Sequence, residues 1–134
     1  MENRKFYFVY IMKRDRNVTL DVLANNEKEA KALAFQMSKL SGEDLCYACA
    51  ETEKNKFKVY MEYNLNDEKG FETHEFKSLE KAIRCLEERS EWALGVLRSK
   101  YDEKEISSGI SEDQTYISAE CGDDSYYVKL FPSI

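Results

Sequence analysis

The sequence predicts an α+β fold: antiparallel sheet with two helices against it, from tandem strand–strand–helix–strand units plus a C-terminal hairpin. Three observations predict it. Phe57, Val59, Met61, Tyr63 and Leu65 alternate with Lys58, Tyr60, Glu62 and Asn64, the period of a strand with one wet face. Two segments, opening at Asn25–Asn26 and at Ser78, carry apolar residues at helical spacing. The order hairpin, helix, strand then occurs twice along the chain.

Residues 5–12 are aromatic and β-branched and read as a strand buried on both faces. Lys13, Arg14, Asp15, Arg16 and Asn17 form a basic hairpin tip, a solvated turn by its composition. Val18, Leu20, Val22 and Ala24 mark a second strand. Asn25 or Asn26 caps a helix with Glu27 and Glu29 in its first turn, Ala30, Leu33, Ala34, Met37 and Leu40 on one face, and Gly42 past its end. A third strand runs from about Asp44 to Ala50.

The pattern then restarts with the strand from Phe57 to Leu65, a turn over residues 66–70 and a shorter strand from Phe71 to Lys77. Ser78 caps a long helix whose stripe is Leu79, Ala82, Ile83, Leu86, Ala93, Leu94, Leu97 and Tyr101, with Gly95 its weak point. Residues 102–113 are polar and acidic and read as a mobile loop. A hairpin of Gln114–Cys121 and Ser125–Phe131 closes the chain.

The 134 residues are expected to form a single compact domain made of two pseudo-repeats, 1–53 and 54–134. Lys5–Tyr10 echoes Lys56–Met61, and Leu45–Cys49 echoes Tyr116–Cys121. Apolar residues at 43% and charged residues at 34% describe a globular chain, and one proline with five glycines excludes collagen-like and linker classes. No apolar run approaches the ~20 residues of a membrane span, and Met1–Lys5 leads into no secretory segment, so the expected compartment is the cytoplasm.

Charge is unevenly spread. Residues 1–67 hold 11 basic and 11 acidic side chains, whereas residues 68–134 hold 9 and 15, so the second half carries the whole net charge of −6. Direct nucleic-acid binding is not expected of it, because phosphate contacts need a basic footprint. The chemical inventory is thin. Cys46 and Cys49 have C-x-x-C spacing, but on a strand this points the two thiols to opposite faces unless a bulge intervenes, and Cys85 and Cys121 are too far apart in sequence to complete a zinc site. The single histidine, His74, has acidic neighbours and no triad motif. No glycine-rich phosphate loop and no calcium-loop spacing occurs. The expectation is a non-enzyme without cofactor or metal.

Nine tyrosines are the more informative feature, and eight of them fall on predicted strands. Tyrosine joins a wide contact area to a polar tip, as interfaces require. A tyrosine-bearing sheet face beside acidic loops suits a protein partner with a basic surface. The residues expected to meet it are Glu87, Glu88, Glu91, Trp92, Asp102, Glu103, Asp123, Asp124 and Tyr126. In its size and in the runs Glu87-Glu88-Arg89-Ser90-Glu91, Asp102-Glu103-Lys104-Glu105 and Asp123-Asp124, the chain resembles the small acidic proteins of phages and mobile elements, including anti-CRISPR inhibitors. That resemblance implies an inhibitor that occludes a basic or nucleic-acid-binding site on a partner protein. Two other readings stand beside it. One is a small-ligand binder with a tyrosine-lined pocket between the halves. The other is a homo-oligomeric module, such as a homodimer, joined through a sheet edge or the 79–101 helix.

Overall fold

The computed structural model describes residues 2–12, 17–38, 45–52 and 54–133, without the side chains of 45–49. Among these residues, two α-helices and two antiparallel sheets make it an α+β protein. The chain divides into two compact units, Met1–Lys54 and Asn55–Ile134.

The first unit contains β1 (Lys5–Met12), β2 (Asn17–Ala24), α1 (Glu27–Met37) and β3 (Leu45–Glu51), in the sheet order β2-β1-β3. Asn26 begins α1 as expected: its side chain accepts from the Glu29 amide at 2.8 Å, while the Glu29 carboxylate reaches back to Asn25. The helix lays Ala30 and Ala34 against Tyr7, Val9, Ile11, Val22 and Ala24, with Leu20, Leu33 and Met37 at the rim. Small residues on the helix let it approach the sheet closely, so the larger strand residues fill the layer. The expectation that residues 5–12 are buried on both faces is corrected for part of the strand. The helix packs on the face of Tyr7, Val9 and Ile11; on the other face Phe6 is 3% exposed, whereas Phe8 and Met12 are 45% and 44% exposed. The basic tip at 13–16, Leu40 and Gly42 lie outside the described residues.

The β1–β3 register shifts by one residue between Tyr10 and Ile11, a bulge that sets Cys49 opposite Val9 and Cys46 opposite Ile11. The two cysteine side chains lie outside the described residues, and with them the zinc or redox reading of the pair.

The second unit contains β4 (Lys56–Leu65), β5 (Glu68–Phe76), α2 (Leu79–Lys100), β6 (Ser107–Ile110), β7 (Tyr116–Cys121) and β8 (Asp124–Ser133), in the order β5-β4-β8-β7-β6. In the first unit the strand after the helix, β3, takes the free side of β1, whereas in the second unit the free side of β4 is taken by β8, the third strand after the helix. The sequence echo matches β3 with the segment of β7 instead.

Ser78 caps α2, its hydroxyl accepting from the Lys81 amide at 3.3 Å, and Arg98 and Lys100 occupy the last turn where the helix dipole favours cations. The buried stripe of α2 is Ala82, Ile83, Leu86, Ser90, Ala93 and Leu97, packed over Val59, Met61, Ala119, Val128 and Leu130. Ser90 fits into this apolar row because its hydroxyl bonds that of Tyr126 at 3.2 Å.

Two turns are tighter than their sequences suggest. Asn66 and Asp67 both adopt positive φ (53° and 65°), a two-residue turn whose twist matches the strands it joins. Glu68, Lys69 and Gly70 therefore pair with Leu65, Asn64 and Tyr63 instead of forming loop. At the other hairpin Gly122 (φ 59°) does the same between Cys121 and Asp124. The stretch 102–113, expected to be a mobile loop, holds a 3-10 turn at Glu103–Glu105 and the edge strand β6, paired with β7. Backbone pairing needs no apolar side chain, so a polar edge strand leaves little trace in a hydrophobic pattern. Its exit is tied by Asp113, 3% exposed, which accepts from the hydroxyls of Ser111 (2.8 Å) and Thr115 (2.7 Å).

Val59 is fully buried on β4, between β5 and β8. Val59→Asp places an unpaired charge there and should cost about 4 kcal/mol or more, unfolding the second unit. The emission of Trp92, the single tryptophan, reads the result directly; a native spectrum and an unchanged melting curve would contradict the assigned face.

Candidate functional site

With α2 on one face of the five-stranded sheet, strand alternation sends the other set of side chains to the opposite face. Pairing sets their order. Glu62 lies between Phe71 of β5 and Tyr127 of β8, and in the next row Lys129 lies between Tyr60 of β4 and Tyr116 of β7. Tyr127 is diagonal to both of the other tyrosines. Its ring stands 6.1 Å from Tyr60, tilted by 45°, and stacks on Tyr116 at 5.6 Å and 22°. Phe71 is 74% exposed and Tyr116 38%. Together they make an aromatic surface with a carboxylate set among the rings.

Glu62 accepts the Tyr60 hydroxyl at 2.5 Å. This bond, with the Tyr127 hydroxyl near by, holds its carboxyl below the usual carboxylate range. Reciprocally, the Glu62 carboxylate raises the Tyr60 phenol and pushes Tyr127 up to about 12. At neutral pH the centre of the surface is therefore one carboxylate bonded by the Tyr60 phenol, with the protonated Tyr127 phenol beside it. Lys129 leans over Phe131, its Nζ 5.8 Å from the ring centre. Among the described residues no lysine or arginine pairs with Glu62. An open depression of about 640 Å³ covers this region, lined among others by Glu62, Asn64, Lys69, Phe71, Tyr116, Glu120 and Tyr127.

The residues named from sequence fall elsewhere. Glu87, Glu88 and Glu91 are exposed on α2. Trp92 beside them is 42% exposed, with its ring edge-on to Tyr63 at 5.6 Å and 83° and the Arg89 guanidinium 4.5 Å above it. Tyr63 in turn lies across Gly70, where a Cβ would collide with its ring. Arg89 reaches Glu72 of β5, and Glu72 lies 3.3 Å from His74. This chain of contacts fastens α2 to β4 and β5. Asp102 and Glu103 are exposed, Glu103 paired with Arg98 at 2.9 Å, and Asp123 is exposed in the β7–β8 turn.

Two of those residues are corrected. Tyr126 is 4% exposed because its parity on β8 is that of Val128 and Leu130. Asp124 is 2% exposed, and its carboxylate accepts from Lys100 Nζ (2.8 Å), the Tyr101 hydroxyl (2.8 Å) and the Asn66 amide (2.9 Å). It joins the end of α2 to both tight turns. The signal that separates Tyr127 from Tyr126 was present in the alternation against Val128 and Leu130. What the alternation did not carry was the strand order that gathers Tyr60, Tyr127 and Tyr116 on three successive strands.

Among the described residues no group of three His, Cys, Asp or Glu is placed to hold a metal ion. Cys85 and Cys121 are free thiols, each pushed up first by burial and so held in the unreactive protonated form. No helix among the described residues is long and apolar enough to cross a membrane. Comparison with protein-family models, curated proteins and solved structures finds no match to this chain.

The Lys100 hydrogen bond, with those of Tyr101 and the Asn66 amide, holds the Asp124 carboxyl below its ordinary value of 3.8. A carboxyl depressed in the folded state stabilises above its unfolded pKa and loses that contribution as pH falls through the folded one. Asp124→Asn should therefore lower the melting temperature by several degrees at pH 7, with the gap to the parent closing below about pH 4. A gap that stays constant down to pH 2 would contradict this role.

Proposed function

We propose that this chain is a non-enzymatic protein-binding module whose partner presents a basic surface. The observation that carries the reading is the exposed aromatic face of the five-stranded sheet, where Tyr60, Phe71, Tyr116 and Tyr127 surround the ionised Glu62. Exposed rings of this kind gain most from being covered by another macromolecule, and tyrosine and phenylalanine in groups are the side chains that anchor interfaces. Residues 55–134 carry 11 basic and 17 acidic side chains, so the whole net charge of −6 lies in the unit that bears this face. The exposed Glu87, Glu88 and Glu91 of α2 add to a field that draws in a cationic partner. A module that covers a basic surface also blocks whatever that surface binds, nucleic acid included.

The depression on the same face is of small-ligand size, which favours a ligand-binding module as the second reading. One experiment separates them. A photo-crosslinking residue placed at Phe71 or Tyr116, in the cells that make the protein, should give one discrete protein adduct, and the same residue at the exposed Glu80 should give none. Absence of an adduct at either face position, together with a small molecule retained in the native mass spectrum, would transfer the site to the ligand reading.

Replacing Glu87, Glu88 and Glu91 with lysine takes the formal net charge from −6 to zero at exposed positions. Association with the crosslinked partner should slow by about tenfold at low salt while dissociation changes little. An unchanged association rate would remove charge steering from the mechanism.

A further inference from the structure

Resting on the protein-binding reading, we propose that Glu62 and the rings around it form a receptor for an arginine side chain of the partner. The carboxylate offers about four acceptor positions, and the Tyr60 hydroxyl uses one of them. The remainder is what the two parallel N–H groups of a guanidinium require. No cation of the chain takes that place among the described residues: Lys129 is directed over Phe131, and Arg89 is engaged by Glu72 and Trp92 on the face covered by α2. Phe71 and Tyr127 flank Glu62 on the two neighbouring strands. With strands ~4.8 Å apart, their Cα atoms stand about 10 Å from one another. That separation exceeds the ~7 Å that a planar group needs to have an aromatic face on each side.

Charge and shape agree on the occupant. The charged side chains lining the depression are Glu62, Glu120 and Lys69, a net negative set. A lysine ammonium would answer the charge, but it is strongly hydrated and cannot make the bidentate contact or stack on a ring, so the flat guanidinium is the better fit. Glu62 is also pre-organised. The Tyr60 hydroxyl holds the carboxylate in place before the partner arrives, which reduces the ordering cost of binding.

The test uses the full chain and an acetylated, amidated peptide alternating glycine with arginine, followed by NMR and calorimetry. Shifts should centre on Tyr60, Glu62, Phe71 and Tyr127. Replacing arginine by citrulline, which keeps the shape and removes the charge, should weaken binding by about tenfold, and replacing it by lysine by several-fold. Glu62→Gln and Phe71→Ser, both at exposed positions, should each weaken the arginine peptide by about fivefold or more, while the charge-matched Glu80→Gln leaves it unchanged. Equal binding of the citrulline peptide, an undiminished Glu62→Gln variant, or shifts centred on Glu87, Glu88 and Glu91 would overturn the receptor. Any of those results, with the crosslinked protein adduct still forming at Phe71 or Tyr116, leaves the protein-binding reading intact. Loss of the adduct ends both.

Discussion

The register of β4 against β8 is the constraint on which the second unit depends. Val59 meets Leu130, Met61 meets Val128 and Glu62 meets Tyr127, so one set of pairs builds the core under α2 and the interleaved set builds the exposed face. A slip of one residue would exchange the two sets, burying Glu62 and exposing Met61. The aromatic surface and the hydrophobic core are thus two consequences of a single alignment. Selection for packing on one side holds the geometry of the other.

Acidic residues serve two unlike purposes in this unit. Asp113 and Asp124 are buried and act as staples, each gathering several donors where the chain turns. A carboxylate suits this task because one group can satisfy several donors that would otherwise be left unpaired. Glu87, Glu88 and Glu91 are solvated on the outer side of α2 and contribute charge without structure. Glu62 belongs to neither group. It is exposed yet bonded, held by the Tyr60 phenol that the sheet itself positions.

Much of this architecture was legible in the residues. Asn26 and Ser78 announce their helices because a side-chain acceptor meets amides that would otherwise be unpaired. The alternation through Val59 and Met61 assigns the faces of β4 with no further information. Other features depend on contacts that a linear pattern does not encode. Asp123 and Asp124 are adjacent and chemically alike, but only Asp124 meets Lys100, Tyr101 and Asn66, from parts of the chain far apart in sequence. Strand β6 is held by its backbone, so its side chains carry almost no signal. Phe8 looks like a core residue by composition, yet it is 45% exposed while Phe6 on the same face of β1 is buried, a difference that the composition of the strand does not carry.

The place of β8 in the sheet has a consequence for how the chain acquires its shape. β8 is the last strand of its unit in sequence and lies at the centre of the sheet, joined to β4 by partners 61 to 77 residues apart (Asn64 with Ser125, Lys56 with Ser133). During synthesis the β4–β5 hairpin emerges first, with one edge of β4 unpaired and the underside of α2 without its full cover. The first unit, closed by β3 at Glu51, faces no such delay. Long-range pairing of this kind is slow, and it leaves apolar surface and a bare strand open to wrong partners in the interval. The two units therefore mature on different clocks, the second held back until its central strand has left the ribosome.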